Sequence, residues 1–305
     1  MNSSLKGVFF IALGASCYGV LATFVKYANN DGFGTAGLAF SQYLFGVLLL
    51  SIISLVVSKQ AKLSTNSKAI SKFPKFKLVL FGTTLGLTSS FYYLSIQYVP
   101  VSVGIILLMQ TIWMGVVLEY VMARHLITKT KVLGAFVAIV GTVFAAQIFE
   151  ADLNINFTGI GFGLLAALSY TGAMYASNNV SLELPVITRS KYLVYGGFLV
   201  VIVFWNVQIL EEFNAEVFLK WGIFLGLFGT ILPPILFNKG FPEIGTGLGS
   251  IIAALEIPVS VFSAYLVLNE EISLLQWLGI VIILCAVLLI NWRKLFRTYK
   301  RQESD

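Results

Sequence analysis

The stretch from Gly7 to Tyr27 recurs from Gly159 to Asn179, with Gly7, Phe10, Leu13, Ala15 and Tyr18 falling on Gly159, Phe162, Leu165, Ala167 and Tyr170. A second pairing sets Ile112, Val116, Tyr120, Ile127 and Leu133-Gly134 on Ile257, Val261, Tyr265, Ile272 and Leu278-Gly279. A repeat of this size restricts the chain to architectures built from two like units. In a membrane chain such units usually face one another across a substrate site.

The composition puts the chain in a bilayer. Of its 305 residues, 58% are hydrophobic and 11% charged, and the mean hydropathy is +0.88, well outside the soluble range. A helix crosses a hydrocarbon core of about 30 Å with about 20 apolar residues. Ten such spans are expected, at 5–27, 36–58, 77–97, 101–122, 130–149, 157–178, 190–210, 217–238, 244–268 and 272–292. The apolar runs are continuous rather than alternating, which excludes barrel strands. The expected fold is therefore an all-α integral membrane protein, ten transmembrane helices arranged as two inverted five-helix repeats, 1–150 and 151–305. The first segment contains Gly14-Ala15-Ser16-Cys17, a faint echo of a lipoprotein cleavage site, but its internal copy cannot be a signal and it is read as the first helix.

Charge sets the orientation. With the amino terminus in the cytoplasm, every Lys and Arg of the chain's twenty falls on the cytoplasmic side except Lys26 and Lys220. That bias predicts cytoplasmic N and C termini and localisation as a multi-pass protein of the cell membrane. It also explains the formal charge of +6 without nucleic acid as a partner. The repeat spacing shrinks by seven residues between Tyr18/Tyr170 and Leu133/Leu278, and the Lys-rich loop 59–77 is the expected site of the extra residues, a solvated linker drawn to anionic headgroups. Cys17 and Cys285 lie in different halves without metal-ligand spacing and read as packing residues.

Few polar groups sit deep in these spans. Glu256 lies twelve residues into the ninth, about 18 Å along a helix that rises 1.5 Å per residue, near the bilayer centre. A charge there costs at least about 2.5–3.5 kcal/mol, so it must face the bundle interior, water or a partner. Glu256 is thus a candidate proton carrier or ligand for a cationic group; a protonated carboxyl that fixes packing is the alternative. The duplicated position holds Thr111. Glu119, five residues before Arg124, reads as structural, Glu270 and Glu271 as solvated, and Lys26 as snorkelling.

Tyr18, Tyr92, Tyr93, Gln110, Trp113, Tyr170, Asn178 and Asn238 offer hydrogen bonds without full charge, which suits a cavity for a small polar or amphipathic solute. Tyr92-Tyr93 could equally belong to an interfacial aromatic belt. The substrate-binding candidates are therefore Glu256, Tyr18, Tyr92, Gln110, Trp113, Tyr170, Asn178 and Asn238. Gly226, Gly229, Pro233 and Pro234 in the eighth span, and Gly245-Thr246-Gly247-Leu248-Gly249 opening the ninth, predict bends and close helix approach.

The run Leu255-Glu256-Ile257-Pro258-Val259, then Leu268-Asn269-Glu270-Glu271-Ile272-Ser273 and Gln276-Trp277-Leu278-Gly279, resembles the closing segment of EamA-type carriers of the drug/metabolite transporter superfamily. Tyr98-Val99-Pro100-Val101-Ser102 and Gly134 resemble the matching segment of the first EamA repeat. The chain departs from that pattern where Ile257 separates Glu256 from Pro258, and where Arg124-His125 replaces a Gly-Glu pair. The resemblance implies a carrier of small metabolites such as amino acids, frequently exported, through a cavity lined by helices 1, 3, 4, 6, 8 and 9.

The expected function is secondary transport by alternating access, with no catalytic residues, metal or cofactor. No Walker-type phosphate loop is present to support direct ATP drive. The alternatives are an intramembrane enzyme on a lipid-linked metabolite, for which His125 offers no catalytic cluster, and a non-transporting receptor or scaffold. The expected partners are a small-molecule metabolite and the lipid bilayer, with proton coupling and a homodimer left open.

Overall fold

The computed structural model describes residues 3–62, 72–99, 101–122, 128–145, 156–269 and 271–302, and all regular structure among them is helical. Arg124, His125, Pro100, Glu270 and residues 63–71 of the Lys-rich loop lie outside the described residues, whereas its ends, 59–62 and 72–77, are helical rather than loop. Span 1 is Ser3–Asn30, span 2 Thr35–Lys62 and span 3 Lys72–Tyr98. Span 4 is split into Val101–Leu108 and Thr111–Met122, and span 5 is Lys129–Ala145. Span 6 is Phe157–Asn179 and span 7 Val186–Glu211. Span 8 covers Ala215–Ile244, span 9 is split into Thr246–Ala253 and Glu256–Leu268, and span 10 is Leu274–Gln302. Eight of these are long and apolar enough to cross a membrane on their described residues; spans 5 and 10 have shorter described apolar stretches.

The spans close around a pseudo-two-fold axis. Spans 1 and 8 pack together, and so do their repeat counterparts 6 and 3; spans 3 and 7 pack, as do their counterparts 8 and 2. Spans 2 and 7, 4 and 9, and 5 and 10 are each packed against their own counterpart. Their directions show the inversion. Tyr43 meets Gly197 while Gly46 meets Val194, Ile112 meets Ser250 while Glu119 meets Gly245, and Gly141 meets Ile283 while Ala145 meets Gly279. All three pairs of counterparts therefore run antiparallel, and the two five-helix repeats are inverted.

Lipid tails are as apolar as leucine, so these helices associate through close packing and hydrogen bonds rather than hydrophobic burial. Spans 3 and 7 show the packing most clearly. They run parallel, Lys75 beside Tyr192 and Tyr93 beside Trp205, and their backbones touch: a Cβ on Gly82 would strike the Leu193 carbonyl, and one on Gly196 the Val79 carbonyl. Polar ties also join neighbouring spans, among them Ser95 Oγ of span 3 donating to the Gly159 carbonyl of span 6 at 2.8 Å. Facing outward are apolar side chains such as Phe136, Leu219 and Leu274, the natural complement of lipid. Cys17 is buried, whereas Cys285 is exposed on this outer surface rather than packed inside.

Helix ends are satisfied across repeats. Glu212 Oε2, at the end of span 7, accepts from the Ala36 N–H at 2.8 Å and so caps span 2. Such a carboxylate answers both an unpaired donor and the positive end of the helix dipole. Glu212→Ala should lower stability by about 1 kcal/mol, read as a drop of a few degrees in the unfolding temperature in detergent. In span 8, Phe218–Gly222 and Gly226–Ile231 wind as wide π turns before an α-helix begins with Pro233 and Pro234 in its first turn. Prolines are tolerated there because first-turn N–H groups have no helical acceptor.

Candidate functional site

Spans 4 and 9 break at the same place. Met109-Gln110 interrupts span 4 and Ala254-Leu255 interrupts span 9, positions that coincide when Ile112 is set on Ile257. Glu256 and Thr111 each begin the second half-helix of their span. A carboxylate in a first helical turn is stabilised by the helix dipole, which eases the cost of holding Glu256 at membrane depth.

Span 6 holds both breaks through adjacent residues. Tyr170 Oη donates to Glu256 Oε2 at 3.3 Å, and the Thr171 and Thr111 hydroxyls lie 2.7 Å apart. The surroundings then diverge. Thr111 is fully buried, whereas Glu256 is half-buried and faces a cavity of about 570 Å³. Tyr18, Tyr92 and Tyr170 lie within electrostatic reach of its carboxylate, and the Tyr18 and Tyr170 rings meet edge to face at 6.2 Å.

Among the described residues, the cavity lining reaches one face of the bundle. Its floor is Tyr18, Met109, Tyr170, Gly229 and Glu256, and its rim includes Lys26, Asn29, Thr35, Glu271 and Gln276. Those rim residues all belong to the face opposite the chain's two termini, here the far face. Ile105 and Leu108 of span 4 stand across the cavity from Ser260, Val261 and Ala264 of span 9. On the terminal face the same two spans are packed shut. Ser250 Oγ donates to the Ile112 carbonyl at 3.2 Å, and Glu119 is buried against Gly245 and Gly247.

The sequence-predicted residues divide between the two ends. Glu256, Tyr18, Tyr92, Tyr93 and Tyr170 come together at the cavity. Asn178 Nδ2 donates to Thr246 Oγ1 at 3.2 Å and Asn238 Nδ2 to Ser190 Oγ at 2.9 Å, both on the closed terminal side. There the buried Arg189 also donates to the Ser177, Val180 and Asn238 carbonyls. Trp113 is exposed on the outer surface and its Nε1 donates to Gln110 Oε1 at 2.8 Å; neither residue lines the cavity. Lys26 and Glu271, read as snorkelling and solvated, stand at the cavity rim.

Sequence reasoning missed Thr23, Gln42, Tyr43, Thr88, Ser89 and Ser260, which give the upper cavity its polar character. Thr23 Oγ1 donates to the Ser260 carbonyl at 3.3 Å and pairs with the Ser263 hydroxyl, tying span 1 to span 9. Their sequence signal is an isolated polar residue within an apolar run, and for Thr23, Thr88, Ser89 and Ser260 that is the same mark left by hydroxyls that merely bond their own helix. Spans 2, 5 and 10 contribute too, through Tyr43, Ala145 and Gln276, so the lining is wider than the six helices the resemblance implied.

An inverted pair of helical repeats around a mid-membrane cavity defines a multi-pass membrane protein of transporter architecture. The model of the EamA-like transporter family matches residues 5–147 and 157–292, and the chain belongs to that family. A solved structure described only as a crystal structure of protein is similar in fold, with a TM-score of 0.77 over 93% of this chain and 98% of that one at 11% identity. No curated protein matches the chain.

Tyr170→Phe removes the hydrogen bond from Tyr170 Oη to the floor carboxylate. A single bond to a charged group contributes about 1.5–3 kcal/mol, and at 3.3 Å the lower end applies. The variant should fold but lose about 1.5 kcal/mol of stability, read as a drop of a few degrees in its unfolding temperature in detergent.

Proposed function

We propose that this chain is a secondary transporter of a small amphipathic metabolite bearing an amino group, an amino acid or a related compound, exported across the cell membrane by alternating access between its two repeats. The observation that carries this reading is the cavity open at one face, with the Glu256 carboxylate at its floor where the repeats meet. Tyr18, Tyr92 and Tyr170 line the cavity beside that carboxylate, and aromatic rings with hydroxyls next to a carboxylate suit an ammonium group. Hydroxyls and amides above, from Thr23, Gln42, Thr88, Ser89 and Ser260, suit the polar remainder of such a solute, and Leu21, Leu85 and Ile105 suit its apolar part.

With the terminal face in the cytoplasm, as the distribution of Lys and Arg argues, the cavity faces outward. Exchanging the conformations of the two repeats closes it and opens a counterpart towards the cytoplasm. In that exchange Glu256 passes from the water of the open cavity through an occluded stage before the cytoplasmic side reaches it. A bare carboxylate is expensive there. Glu256 therefore makes the transition neutralised, by a proton in one direction and by the substrate's ammonium in the other, which couples export to proton entry.

The test begins with a metabolite comparison of cells with and without the protein. Any compound that changes is then loaded into proteoliposomes, with and without a pH gradient. Efflux accelerated by an acidic exterior supports the reading; absence of protein-dependent flux for every compound so identified refutes it.

A further inference from the structure

The two ends of the spans 4 and 9 crossing are built differently, although the repeat makes them equivalent. On the terminal side Glu119 is buried, and its Oε2 lies 2.6 Å from Lys131 Nζ, with side chains only 5% and 13% exposed. The carboxylate points at the start of the half-helix Thr246–Ala253, where its negative charge meets the positive end of the helix dipole. Gly245 and Gly247 make the space. A Cβ at either position would strike the Glu119 carboxylate, and Gly245 has a φ of +84° that disfavours any other residue. Glu119 belongs to the first repeat and the glycines to the second, so this contact must break whenever the terminal side opens.

At the counterpart positions the chain has Ala264 for Glu119 and Gln276 for Lys131, and Pro100 and Ser102 for the two glycines. Ala264 and Gln276 line the open cavity. The far side thus has neither the ions nor the glycine pair with which to form the same contact when it closes.

We infer that Glu119, seated on Gly245 and Gly247 and neutralised by Lys131, is a latch that holds the terminal face shut and biases this protein towards the state open at the far face. The inference rests on the alternating-access reading above. Its test needs no substrate, so the two can fail separately.

The natural control is to give the latched side the residues of the unlatched one, Glu119→Ala with Lys131→Gln, which removes both charges and leaves neither unpaired. Reporters are the counterpart pair Val116→Cys and Val261→Cys, introduced singly in a background lacking Cys17 and Cys285. Val116 is buried on the closed side and Val261 lines the cavity. Membrane-impermeant thiol reagent is applied from each face of oriented vesicles. The expected result is labelling of Val116→Cys from the terminal face at least tenfold faster than in the latched parent, with slower labelling of Val261→Cys from the far face. A monodisperse double variant whose two rates stay within twofold of the parent overturns the latch. Should the double variant fail to fold, Gly247→Ala displaces the carboxylate while its added carbon comes within 3.3 Å of the Val116 backbone, and unchanged rates in that variant overturn the latch equally. Intact flux with unchanged labelling removes the latch and spares the carrier; faster labelling without flux does the reverse.

Discussion

Glu256→Gln is expected to abolish the response of transport to a pH gradient and to reduce flux of an amine-bearing substrate by roughly tenfold to a hundredfold. The amide keeps the size and the Tyr170 hydrogen bond but cannot carry a proton or pair with an ammonium. A hydrogen bond to a charged partner contributes about 1.5–3 kcal/mol, which sets that range. The change removes a charge from membrane depth, so the variant should fold at least as well as the parent. Flux is measured in proteoliposomes at matched protein content, with and without an acidic exterior. Equal flux and equal gradient dependence in the two proteins would remove Glu256 from the mechanism and return it to the role of a packing group.

Gly82→Val should have the largest effect on stability. Its first side-chain carbon would fall on the Leu193 carbonyl, and Gly196 opposite has the same relation to Val79. Both obstacles are backbone, which cannot swing aside as a side chain can. Forcing spans 3 and 7 apart should cost about 3 kcal/mol, the upper end of the usual overpacking range, and separate helices that depend on close contact because lipid offers no hydrophobic drive. The variant should appear in detergent as aggregated or strongly destabilised protein. Gly161→Val is the control, because its added carbon meets nothing. A monodisperse Gly82→Val protein with the parent's unfolding temperature would contradict the packing.

Much of the fold was legible because its causes are local. A run of about 20 apolar residues is enough to specify a spanning helix, and the correspondences Tyr18/Tyr170 and Ile112/Ile257 mark the two repeats. The breaks at Met109-Gln110 and Ala254-Leu255 were not legible. Neither carries a glycine, and Pro258 lies beyond the second, so the interruption depends on how each half-helix packs rather than on a local breaker.

The candidate site was legible in part, along the same division. Glu256 stood out because a carboxylate at that depth has few tolerable surroundings. Asn178 and Asn238 were chosen on polarity, but polarity alone does not say which end of a helix crossing is closed. The structure places their amides on Thr246 and Ser190, within the packed terminal side. Glu119 shows the converse: its place near Arg124 marks it only as structural, whereas its seat is Gly245 and Gly247, more than a hundred residues away in sequence.

The sequence by itself determined membrane residence, the helical repeats, the bias of basic residues to one side and the mismatch of Thr111 with Glu256. Each follows from hydropathy, charge or self-comparison along a single chain. Only the tertiary structure decided that Glu256 faces a cavity while Thr111 is buried, and that spans 4 and 9 part on one side and lock on the other. Two repeats of nearly the same pattern can adopt either arrangement at either end. The choice between them rests on contacts across the repeat interface, such as Glu119 on Gly245, which have no signature along the chain.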